Sequence, residues 1–171
     1  QALCRRMINV GVQATWRCIL HPARVEPALV ELMAKAGCAE VSLGFESGSP
    51  HMLRWMNKHF TVDDVRHTRG LLREHGMKCF GFLLLGGPGE TRESVEQSLR
   101  FADELELDMV RVTVGIRIYP GTALAERARL EGAVAADDDL LKPQFYLAPG
   151  LEEWLPATAQ RWVAERPHWI G

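Results

Sequence analysis

Three charged side chains, Arg17, Glu46 and Arg117, fall on the polar side of strand-like stretches whose other side is apolar. Alternate side chains of an extended chain face opposite ways. On a first strand near 13–20, Ala14, Trp16, Cys18 and Leu20 share one side, and Gln13, Thr15, Arg17 and His21 the other. A second strand near 40–46 separates Val41, Leu43 and Phe45 from Glu40, Ser42, Gly44 and Glu46. A strand near 109–118 separates Val110, Val112, Val114, Ile116 and Ile118 from Arg111, Thr113, Gly115 and Arg117. An unpaired interior charge is costly, so Arg17, Glu46 and Arg117 are expected to meet each other or a charged ligand. Glu46 with His21, at the end of the first strand, is also the pair that acid–base chemistry on a small metabolite would use.

The remaining strand, near 78–85, differs. Cys79, Phe80, Phe82 and Leu83–Leu85 are apolar on both sides, with Gly81 interrupting, and offer a wall for a planar ring. It ends in Gly86-Gly87-Pro88-Gly89, which permits positive φ angles and close backbone approach to a ligand. Glu90 follows, placed either to stabilise this turn at a helix N-terminus or to touch the ligand.

These residues need a scaffold that brings strand ends together. Helix signals alternate with the strands: Pro27 and Gly37 bracket 28–36, Thr61 with Asp64 opens a helix that Gly76 ends, Thr91 opens one reaching about Leu105, and 123–130 closes at Gly132. Residues 2–10 read as the end of a further helix. Four strands alternating with four helices make an α/β protein with a parallel sheet, whose strand–turn–helix units collect their turns on one face. Residues 133–171, with Trp154, Trp162, Trp169 and four prolines, read as an extension that crosses the surface in bent segments, as a packing cap or a lid.

At 171 residues the chain has room for a sizeable core. A net charge of −2 gives no electrostatic footprint for nucleic acid or an anionic membrane, and the apolar runs are too short to span a bilayer. Cys4, Cys18, Cys38 and Cys79 have no metal-ligand spacing and read as thiols buried in a cytoplasmic protein. The five histidines other than His21 show no ligand spacing either. With Gln1 as its first residue, the chain reads as a piece of a larger protein.

In order and separation, Gly37-Cys38, Gly44-Phe45-Glu46-Ser47-Gly48, Gly86-Gly87-Pro88-Gly89-Glu90-Thr91 and Tyr119-Pro120-Gly121-Thr122 resemble the later part of a radical S-adenosylmethionine (SAM) enzyme core, over roughly 12–132. The pattern looks most like the cobalamin-binding branch, which includes anaerobic oxidative cyclases of magnesium-protoporphyrin ester, and Leu140–Gly150 resembles that branch's C-terminal extension. The resemblance implies about four βα units of a partial (β/α)6 barrel in 1–132, with 133–171 packed on the barrel or over its mouth. It implies a 4Fe–4S cluster on a CxxxCxxC loop, absent from this sequence and expected upstream of Gln1. At that cluster SAM would be cleaved reductively to a 5′-deoxyadenosyl radical. The chain alone would then be inactive, and its partners would be a small-molecule substrate and the upstream cluster- and cobalamin-binding regions of the same polypeptide. Residue by residue, the resemblance implies Glu46 or Ser47 on the SAM ribose or amino acid, where a carboxylate can accept two hydrogen bonds. It implies Leu85, Gly86 and Gly87 on adenine, although Leu83 stands where the family motif GxIxGxxE begins with glycine. Arg117 would face the SAM carboxylate, with Arg17, His21 and Glu90 as further contacts. A different (β/α) enzyme using Glu46 and His21, or a non-catalytic scaffold, remain alternatives.

Overall fold

The computed structural model describes residues 1–171. Five parallel strands stand in the order β1 (Trp16–Leu20), β2 (Cys38–Glu46), β3 (Lys78–Leu85), β4 (Met109–Val114) and, labelled ahead of its turn in the chain, β7 (Trp169–Ile170). Between them run α2 (Pro27–Lys35), α3 (Pro50–Trp55), α4 (Val62–Glu74) and α5 (Arg92–Glu104), preceded by α1 (Ala2–Val10). After β4 come β5 (Ile116–Ile118), α6 (Ala123–Leu130), β6 (Gln144–Tyr146) and α7 (Trp154–Ala164), with β5 and β6 forming an antiparallel pair.

Helices begin where side chains satisfy the first free N–H groups. The Thr61 hydroxyl accepts from Asp64 N at 3.2 Å while Asp64 accepts from Thr61 N at 2.7 Å, and Thr91 with Ser94 repeats this reciprocal box at 3.2 and 3.0 Å. Thr122 caps α6 through Ala125 N at 3.2 Å.

The alternation read from the sequence is present. Val41, Leu43, Phe45 and Val110 are fully buried against the helices, while Ser42, Gly44 and Glu46 are half-buried and Arg111 and Thr113 exposed on the opposite face. Side by side in register, that open face carries Arg17 next to Glu40 next to Lys78, then Ile19, Ser42, Phe80 and Met109, then Phe82 and Arg111. It is therefore a mixed surface, with an apolar band contributed mostly by β3, as its two-sided hydrophobicity suggested.

Several expectations are corrected. The first strand starts at Trp16, not at 13. The strand expected over 109–118 breaks at Gly115, whose φ of 85° turns the chain out of the sheet, so that Ile116–Ile118 pairs with β6 instead. The short helix α3 has a proline at its start and spans too few residues to show a periodicity. The greatest departure is the tail. Residues 133–171 contribute α7 and a fifth strand, and Tyr146, Leu151, Leu155, Ala159 and Trp169 join the single core cluster. Pro156 lies in the first turn of α7, where it removes an N–H that needed no helical partner. The tryptophans pack: Trp162 and Trp169 lie 6.4 Å apart, both against the Arg166 guanidinium, whose Nε and Nη2 each donate to Asp103 of α5 at 2.8 Å. No helix is long and apolar enough to cross a membrane.

Gly81 shows how tightly the helix side is filled, because a Cβ there would stand 2.4 Å from Leu107 Cδ1 and 2.7 Å from Phe45 Cε1. Gly81→Ala is expected to cost about 1–3 kcal/mol by overpacking. Urea denaturation measures it, and an unchanged midpoint would mean that Leu107 and Phe45 move aside freely.

Candidate functional site

The C-terminal ends of β1–β4 and the loops that leave them form the candidate site. Glu46 ends β2 with φ 63°, a left-handed conformation that costs a non-glycine residue of order 1–3 kcal/mol. The pairing with β3 shifts register between Leu43 and Glu46. The side chain folds back over the open face, so that a Cβ on Gly44 would lie 3.0 Å from its Oε1. Lys58 holds that oxygen at 3.4 Å, with both side chains partly exposed. The other carboxylate oxygen takes no hydrogen bond from the protein. A carboxylate presented this way can accept from a hydroxyl pair or an ammonium group.

Ser47 points the other way. It is fully buried, and its hydroxyl accepts from Ser49 N at 3.0 Å and meets the Ser98 hydroxyl at 2.8 Å. Ser98 accepts from Gly48 N at 3.0 Å and donates to the Ser94 carbonyl at 2.9 Å. Since the Ser98 proton is used there, Ser47 donates to Ser98, and the chain of hydrogen bonds runs in one direction from the loop into α5. The Ser47 side chain thus pins the loop after Glu46 and has no free group for a ligand, contrary to the expectation from sequence.

The glycine turn is also occupied by protein. Gly86 N and Gly87 N both donate to Glu90 Oε2, the second at 3.1 Å, while the Gly86 carbonyl accepts from Ala148 N at 2.9 Å and the Gly87 carbonyl from Glu90 N at 3.0 Å. A Cβ on Gly86 would strike Leu147 at 2.5 Å, and one on Gly87 would meet Ile116 and Met52 at 3.1 Å. Close approach is what these glycines allow, but the approaching groups belong to the tail, β5 and α3. Leu85 is fully buried on the helix side, and Leu84 is the residue of that strand end on the open face. The parity of β3 contained this distinction.

Glu90 is 4% exposed, and its Oε1 is buried without a partner. Burial raises its pKa above the ordinary carboxylate value, outweighing the two backbone N–H donors. Its role is to staple the turn.

The remaining expected residues do not converge. Arg17 is largely exposed and lies 3.7 Å from Glu40 at the opposite end of the sheet from Glu46. Six residues of strand separate Glu40 from Glu46, roughly 20 Å. Arg117 is exposed, stacks 4.8 Å over Tyr119 and has no carboxylate partner. His21 Nδ1 accepts from Ala23 N at 3.4 Å, and its ring meets Phe60 edge-on at 5.0 Å. Lys58, the actual partner of Glu46, carried no signal in the sequence because its loop has no periodicity.

No three His, Cys, Asp or Glu side chains converge to hold a metal ion. The four cysteines are free; Cys38 and Cys79 are pushed up to about 12 by burial, and Cys18 is raised for the same reason. Cys4, Cys18 and Cys38 lie near one another with Cys79 apart, and thiols this reluctant to ionise are poor ligands for an iron–sulfur cluster.

The Radical SAM superfamily model matches residues 5–102. The chain belongs to the radical SAM superfamily. It is 30% identical over 123 residues to an uncharacterised methyltransferase of Pyrococcus horikoshii, covering 72% of this chain and 27% of that one. It is 28% identical over 155 residues to the ribosomal protein uS12 methylthiotransferase RimO of Heliobacterium modesticaldum, covering 88% and 31%. The radical SAM methyltransferase TsrM of Kitasatospora setae, whose structure holds cobalamin and a 4Fe–4S cluster, superposes with a TM-score of 0.80 at 19% identity, over 99% of this chain and 42% of that one. That likeness shows the fold, a segment of the radical SAM (β/α) core. The chain spans less than a third of the curated relatives it matches.

The folded state keeps a proton on Glu90 after the unfolded chain has released it, so stability falls as pH rises from the ordinary glutamate range through the raised value. Glu90→Gln retains an acceptor for Gly86 and Gly87 and is expected to abolish that slope in denaturation curves measured across pH. A slope that persists in the variant would assign the titration to another group.

Proposed function

We propose that this chain supplies the SAM-cradling part of a longer radical SAM polypeptide that transfers a methyl or methylthio group, with Glu46 holding the SAM ribose diol or ammonium group. The observation that carries the reading is the Glu46 carboxylate, kept in a strained left-handed conformation at a strand end with one oxygen unengaged. Residues held this way gather at functional sites, and of the five non-glycine residues of this chain with positive φ only Glu46 ends a strand of the sheet. Leu84 and Phe82 supply an apolar surface on the same face for the adenine ring. The protein's part is to bind and orient: Gly44 leaves the space the carboxylate occupies, Lys58 holds one of its oxygens, and the serine chain from Ser47 to Ser94 fixes the loop behind it.

Cluster ligands belong in this reading to another part of the polypeptide, and when bound the cluster supplies the electron for reductive cleavage of SAM. Cobalamin enters by analogy with TsrM. The names of the relatives favour methyl or methylthio transfer over the oxidative cyclisation suggested by the sequence. Membership of the family sets aside an unrelated (β/α) enzyme built on Glu46 and His21.

In the reconstituted full-length protein, Glu46→Ala is expected to raise the SAM dissociation constant about tenfold, the worth of one charge-assisted hydrogen bond. Gly44→Ala, which displaces the carboxylate without removing it, is expected to weaken binding in the same direction. Equilibrium dialysis with labelled SAM decides, and unchanged affinity in both variants removes Glu46 from the site. Anaerobic iron and sulfide treatment of the 171-residue chain is expected to leave no visible charge-transfer absorption. A stoichiometric cluster there would overturn the placement of the ligands elsewhere.

A further inference from the structure

The geometry points to a second binding site, a basic basin beside Glu46 that takes the phosphate or carboxylate group of a small organic molecule. The basin encloses about 580 Å³ between the loop after β1 and the segment from α3 to the start of α4. That volume is in the range of small-molecule sites, which pair an apolar floor with a few convergent polar groups. Leu53 and Phe60, 2% and 6% exposed, make the floor, and Arg24, Arg54, Lys58 and His59 line the basin above it.

Arg24 comes from the loop after β1, and Arg54 and Lys58 from the segment that begins with α3; neither arginine has a carboxylate within ion-pair distance, every ion pair in the chain being made by other cations. The acidic residues of the same wall are engaged. Asp64 accepts from Thr61 N at 2.7 Å and from the Thr61 hydroxyl at 2.8 Å, and Asp63 pairs with Arg66 at 2.9 Å. Arg24, which feels Asp64 only at longer range, and Arg54 thus line the basin without a direct ion pair, and a guanidinium can hold an oxyanion through paired N–H groups. SAM presents one carboxylate beside a cationic sulfonium and a cationic ammonium, so a basin lined by Arg24, Arg54 and Lys58 offers more positive charge than SAM calls for. Lys58 joins the two places: it lines the basin and reaches Glu46 at 3.4 Å. A carboxylate for a cationic ligand and a basic basin for an anionic one thus lie next to each other at the C-terminal end of the sheet, as two reactants brought together would require.

The test uses the folded 171-residue chain, titrated calorimetrically with inorganic phosphate, pyrophosphate and citrate against a sodium chloride control of equal ionic strength. Saturable binding at one site is expected for at least one probe, and preference for the phosphates or for citrate identifies the group. Arg24→Gln and Arg54→Gln are each expected to weaken it about tenfold. Arg100→Gln, which alters a helix-surface cation paired with Glu96, is expected to leave it unchanged. Glu46→Gln should preserve or tighten it, so failure of the SAM assignment leaves this result standing. Absence of saturable binding by all three probes, or losses in the Arg24 and Arg54 variants no greater than in Arg100→Gln, would overturn the proposal.

Discussion

The two-residue alternation of a parallel strand governs this molecule. Each strand of the sheet must give one face to the helices, and the sheet satisfies that demand with Val41, Leu43, Phe45, Cys79, Leu83, Val110 and Val112, all nearly or completely buried. Burying those side chains is the main favourable term of the fold. The opposite face is then free to carry Glu40, Ser42, Glu46, Arg111 and Thr113, because nothing of this chain packs over it. A residue's chance of meeting a ligand is therefore set first by its parity. Leu84 and Leu85 illustrate the point, since neighbours in sequence with the same chemistry lie on opposite sides of the sheet.

Parity was also what made the sequence legible. The apolar and polar sets of β1, β2 and β4, the threonine caps and the glycine stops could be read because each follows from local chemistry that a few residues determine. What failed depended on partners distant in sequence. Ser47 reads as a hydroxyl for the SAM ribose or amino acid until Ser98, on α5, is brought beside it. Gly86 and Gly87 read as backbone open to a ligand's close approach until Leu147 fills the space at the first and Ile116 and Met52 at the second. The fifth strand has only two residues, and its place beside β4 is secured by Arg166 reaching Asp103 and by the stacking of two tryptophans on that guanidinium. No periodicity could announce it.

Charge pairing was the least legible layer. Arg17 and Glu46 share a face but not a height along the strands, and Arg117 leaves the sheet after Gly115, so the expectation that the three would meet fails. Each found a local solution: Glu40 for Arg17, Lys58 for Glu46, the Tyr119 ring for Arg117. Ion pairs this exposed contribute little to stability. They mainly decide which charges remain available, and the ones left over, Arg24 and Arg54 above all, could not be singled out among the many other basic residues of the chain before the loops were placed.

Two glutamates follow successive strands here, and their environments give them opposite tasks. Glu90 is sealed under the turn it staples, with a raised pKa and one oxygen that meets no donor. Ionised, it would bear an uncompensated charge; protonated, it still accepts from Gly86 and Gly87, so the turn holds in either state. Glu46 has the reverse arrangement. Its backbone is strained, its side chain is partly solvated, and its single cationic neighbour engages one oxygen only. A carboxylate whose every bond serves the fold has nothing to offer a ligand, whereas one held in place at a conformational cost and left half-satisfied has its remaining capacity directed outward. Glu46 is for that reason the stronger candidate, although Glu90 is the more buried of the two.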